Sequence, residues 1–159
     1  MRYLFTLGLA LLLCPLAMAQ APKAADALEV QNPWVRATPA SANVRTSAAY
    51  MVLKNNGDAD IDIVGASSTV AERVELHTHT MTDNGVMTMT KIEKIVVPAG
   101  HNVALESGGH HIMFFNLAQP LVEGTEVDIT LQLAGGHTRT VRAKVMPVNF
   151  NPAAHHHHH

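Results

Sequence analysis

The sequence predicts an all-β domain, arranged as a Greek-key sandwich or barrel. Three observations carry that expectation. Short apolar or alternating runs recur along the chain, turn signals separate them, and no stretch beyond the N-terminal segment keeps a helical period. The runs are 48–53, 61–64, 74–79, 86–90, 92–97, 102–105, 112–117, 127–133 and 138–145. The first is followed by Asn55-Asn56-Gly57 and the third by Asn84-Gly85, both residue combinations that close tight turns. Pro98-Ala99-Gly100 punctuates the run ending at residue 97, Gly108-Gly109 precedes the run at 112, and Gly135-Gly136 separates the last two. Connections of such uneven length fit a Greek key better than a simple meander.

The first residues read as an export signal. Met1-Arg2 is a short positive start, residues 3–13 form a nearly unbroken apolar run, and Ala17-Met18-Ala19 is a small-x-small cleavage site before Gln20. The run is shorter than the roughly 20 residues that span a bilayer, and no second such stretch follows, so no membrane span is expected after cleavage at Ala19. Cys14 leaves with the signal, and Leu13 before it lacks the small side chain of a lipid-attachment site. The organisation expected is a signal at 1–19, one β domain at 20–150 and a histidine-rich tail at 151–159, the exported product residing in the periplasm. Net charge is −2 and basic residues are scattered, which disfavours nucleic acid as a partner.

Without its one cysteine, the mature chain can build neither a thiolate copper site nor a cysteine nucleophile. It does set out His77, Met89, His111 and Met113. Imidazole and thioether together are soft, neutral ligands that select copper, Cu(I) above all, over zinc or iron. Strand alternation places His111 and Met113 on one face with Ile112 on the other, and likewise groups His77 with His79 and Met87 with Met89. Register leaves one choice open. A two-residue turn at Asn84-Gly85 sets Met89 opposite Thr80, whereas a loop of odd length or a bulge sets it across from His77 or His79. Both histidines are therefore candidates, with His79 as an outer-sphere or alternative ligand and a place near which Cu(II) could bind.

Glu75-Leu76-His77, the stretch from Gly85 to Met89, Pro98-Ala99-Gly100 and the stretch from Gly108 to Met113 resemble the PCuAC family of periplasmic copper chaperones. The family pattern is a histidine, an optional methionine, ten residues, a methionine, twenty-one residues, then H-x-M. His77, Met89, His111 and Met113 match it with Thr78 in the optional position. The similarity extends over about Val35 to Val145, including Ala48-Ala49-Tyr50 and the segment from Asn55 to Asp60. It implies a cupredoxin-like β-barrel that binds Cu(I) through two His and two Met. It further implies delivery toward cytochrome c oxidase assembly, with a copper-accepting protein, such as an Sco-type protein, as partner. This chain departs from the pattern at Thr78 and at His110, where an aromatic often precedes the second histidine.

Other residues receive blander readings. Met51 and Met146 read as core filler, Met81 and Met87 as packing or loop residues, and Trp34, Tyr50, Phe114 and Phe115 as core or rim. Glu123, Glu126 and Asp128 form a solvated face. His155, His156, His157, His158 and His159 read equally as a purification tag or as a native tail, and a native tail suits Cu(II). Copper buffering or resistance in the periplasm needs the same ligands as delivery. An enzyme is disfavoured, because two His and two Met leave no open position for a substrate.

Overall fold

The computed structural model describes residues 24–39 and 43–152; the expected signal at 1–19 and the histidines at 155–159 lie outside them. One helical turn, α1 (Ala24–Ala27), leads into ten strands. These are β1 (Leu28–Arg36), β2 (Thr46–Asn55), β3 (Ile61–Ser67), β4 (Ala71–Met81), β5 (Met87–Lys91), β6 (Ile95–Val97), β7 (Asn102–Leu105), β8 (His111–Leu117), β9 (Glu126–Leu133) and β10 (Thr138–Met146). Nine of them fall on the nine runs expected from alternation. Among the described residues no helix is long and apolar enough to cross a membrane.

The strands follow one hydrogen-bonded ladder, β5-β4-β8-β2-β1-β10-β9-β3-β6, with β7 also on β2. Leu76, Ile112, Phe114 and Met51 from one end of the ladder share a single buried cluster with Ile63, Ile129, Leu131 and Val145 from the other. The ladder is thus folded over one core, as a sandwich. Full burial of each such side chain contributes about 1.5–3 kcal/mol. Strand β1 joins the two halves: it runs antiparallel to β2 and, from Trp34 to Arg36, parallel to β10. Its pairing with β2 slips between Gln31 and Trp34, where Asn32 adopts a φ of 48°. The strand bends at that bulge and changes partner.

The β4–β5 hairpin fixes the register on which the site depends. Met81 pairs with Met87, the Thr82 N–H donates to the Val86 carbonyl at 2.9 Å, and the Gly85 N–H donates to the Thr82 carbonyl at 2.8 Å. The loop is Asp83-Asn84-Gly85, three residues long, with Gly85 in the left-handed region at φ 75°. Its odd length sets Met89 directly across from His79. A Cβ at Gly85 meets nothing within 4 Å, so Gly85→Ala acts only through the backbone. The expected cost is about 1–2 kcal/mol in a urea melt; an unchanged midpoint would show that the loop does not need this conformation.

Candidate metal centre

Alternation and register together build the site. On β8, Ile112 and Phe114 turn into the core, which directs His111 and Met113 to the opposite face. Leu76 does the same on β4, leaving Glu75, His77 and His79 on that face. The cross-strand pairs then form rungs. Met89 on β5 faces His79 on β4; Lys91, His77 and His111 make the next rung; Glu75, Met113 and Ala48 of β2 make the third. His77, Met89, His111 and Met113 therefore share one face of three adjacent strands.

Met89, His111, Met113 and His79 line a cavity of about 480 Å³, with Tyr50 and Ser47 on its wall. His77 stands beside His111, its ring centroid 5.9 Å away, and does not line the cavity itself; the His79 ring lies 5.1 Å from His111. Burial is graded: His111 is 2 % exposed, His77 7 % and Met89 42 %. The site has a buried base formed by two histidines and an open side at Met89. A larger cavity of about 540 Å³, lined by Trp34, Met51, Met146 and Phe150, contains no histidine.

Hydrogen bonds set the state of each imidazole. The His111 Nδ1–H donates to the Gly109 carbonyl at 3.0 Å, which leaves Nε2 with the lone pair in the neutral ring. That Nε2 lies 3.1 Å from Met89 Sδ. Two lone-pair atoms at this separation repel unless a cation lies between them. Ligands bonded to one ion at roughly 2.0–2.3 Å sit roughly 3.1–3.6 Å apart for bond angles from a right angle to tetrahedral. Burial lowers the His111 pKa; its bond to Gly109 opposes the shift, and His79, His77 and His110 add to the lowering. The lowering favours the neutral ring, the form in which an imidazole can bind a metal.

His77 is held in another way. Its Nε2–H donates to Glu75 Oε2 at 2.9 Å, and its Nδ1 is buried without a partner. The His77 hydrogen bond first, and then the charges of Lys91 and Arg73, keep the Glu75 carboxyl below the usual carboxylate range. A carboxylate that orients an imidazole while the opposite nitrogen stays free is a common outer-shell arrangement around metals. The sequence alone gives Glu75 no role beyond its place in the Glu75-Leu76-His77 motif, although its position two residues before His77 puts it on the same strand face. His79 Nδ1 is likewise buried and unpartnered. Among the described residues no three His, Cys, Asp or Glu side chains converge as a metal-holding group.

The LpqE-like lipoprotein family matches residues 28–145. Lxx21020 of Leifsonia xyli subsp. xyli, a protein named as a lipoprotein, is 37% identical over 131 residues, covering 81% of this chain and 76% of that protein. The solution structure of CuI-DR1885 from Deinococcus radiodurans aligns with a TM-score of 0.60 and 34% identity, covering 82% of this chain and 83% of that one. The copper-bound PCuAC domain from PmoF2 aligns at TM-score 0.64 with 20% identity, over 79% of this chain and 97% of that domain, which establishes a shared fold.

Proposed function

The chain belongs to the LpqE-like family, whose structural neighbours are PCuAC domains, and from that premise we propose that it is an exported copper chaperone. Its cargo is Cu(I), held by His77, Met89, His111 and Met113. The observation that carries this reading is the His111 Nε2 to Met89 Sδ contact of 3.1 Å, with Nδ1 committed to a carbonyl. Two neutral imidazoles and two thioethers bring no negative charge, which favours a soft monovalent ion over Zn²⁺ or a ferrous ion. The Cu(I) named for the Deinococcus radiodurans relative, at 34% identity, supports the same cargo here.

The gradient of burial supports transfer rather than turnover. His111 and Met113 form the fixed half, and Met89, half in solvent, is the ligand an acceptor displaces first. His77 is buried and tied to Glu75, so it belongs with the fixed half. His79, beside Met89, supplies a further imidazole that suits Cu(II) when the metal oxidises. The apolar N-terminal run and the lipoprotein relative support export to the periplasm, and the family resemblance supports an acceptor of cytochrome c oxidase assembly. The test is to mix the Cu(I)-loaded protein with the soluble domain of such an acceptor and follow the metal after separation. Copper moving to the acceptor is the expected result. Copper that stays, although a small chelator removes it, identifies a buffering protein instead.

A further inference from the structure

We infer that Met81 and Met87 form a surface thioether pair that receives Cu(I) and passes it inward to the four-residue site; this rests on the copper reading above. The sequence alone reads the two residues as packing or loop residues. They are instead directly paired at the last rung of the β4–β5 ladder, and they are 69 % and 50 % exposed. Among the described residues no core contact accounts for them: every residue of β5 is exposed, and neither methionine belongs to the buried cluster. Alternation places both on the face that carries His79 and Met89, one rung further out. Side chains paired across two strands have Cβ atoms about 4.5–5.5 Å apart, which lets two flexible thioethers meet at one ion.

The rungs then form a path. Met81–Met87 is open to solvent, His79–Met89 lies next, and His77–His111 with Met113 forms the buried end. Successive rungs on one face are about 7 Å apart. Each passage replaces one ligand by another on the same ion; copper stays Cu(I), and no proton or electron changes hands at the thioethers. Two thioethers alone hold copper more weakly than two thioethers with two imidazoles, so the outer pair loads the site without competing with it.

The test compares the full mature chain with its Met81→Leu, Met87→Leu double variant. Leucine keeps the apolar volume and removes only sulfur. Cu(I) is presented as its bicinchoninate complex, and loss of the complex's colour is followed by stopped flow, alongside an equilibrium competition with the same chelator. The expected result is loading slowed about tenfold or more, an effect of at least about 1.4 kcal/mol on the loading barrier, with equilibrium affinity unchanged within about twofold. Equal loading rates, with the four-residue site binding normally, would overturn the outer pair alone. A parallel loss of affinity would also overturn it, because the two sulfurs would then belong to the main site. Failure of the parent chain to bind Cu(I) at all would overturn both this inference and the copper reading beneath it.

Discussion

Replacing His111 with alanine and Met113 with leucine is expected to lower Cu(I) affinity by more than the roughly 10–100-fold that loss of an outer-shell partner costs. Both side chains project from β8 onto the site face and both line its cavity. Ile112 and Phe114, which anchor the strand, are untouched. The variant therefore removes two donors while leaving the core in place. A competition titration against a chromophoric Cu(I) chelator, on the chain ending at Ala154, reads the effect without the terminal histidines. Affinity retained within tenfold would mean that the metal is held elsewhere.

The second large effect belongs to the other face of the same strand. Phe114→Ala is expected to cost about 3–5 kcal/mol, because the ring is fully buried in the cluster shared by both halves of the sandwich. Domains are typically stable by only about 5–15 kcal/mol, so the variant approaches the unfolding threshold. A urea melt of the metal-free protein measures this directly. Added Cu(I) should recover part of the lost stability, since binding to the folded state alone adds to its free energy. A cost below about 1 kcal/mol would mean that the core collapses around the missing ring, and that β8 is held chiefly by its backbone ladder.

These two predictions draw on one property of β8, and it is a property visible in the sequence. His111, Ile112, Met113 and Phe114 alternate between the cavity face and the core, so the strand positions its candidate donors by burying the residues between them. The same alternation marked eight other strands. It missed β1, where Leu28 and Val30 keep one phase and Val35 the opposite one. The extra residue at the Asn32-Pro33 bulge reverses which parity faces inward, so a reading that assumes unbroken period two finds no strand there.

That these side chains share one face was legible in the sequence, and their register less so. Asn84-Gly85 fits a two-residue turn as readily as the end of a three-residue loop. What distinguishes them is the pair of hydrogen bonds between Thr82 and the residues Gly85 and Val86. Those bonds place His79, rather than Thr80, opposite Met89. The Glu75–His77 bond was equally out of reach, because alternation gives a shared face but not which neighbour a ring nitrogen selects. Both features shape the candidate site, one by setting where Met89 sits and the other by leaving His77 Nδ1 without a partner.

In the proposed function, one copper ion is held by nitrogen and sulfur together on the β5-β4-β8 face. The most direct measurement is the X-ray absorption spectrum of the Cu(I)-loaded chain ending at Ala154. The expected spectrum shows one bound ion whose first shell contains both imidazole nitrogen and thioether sulfur, with the sulfur contribution reduced in Met89→Leu. A first shell of nitrogen and oxygen alone, or a sulfur signal unchanged in that variant, would contradict it.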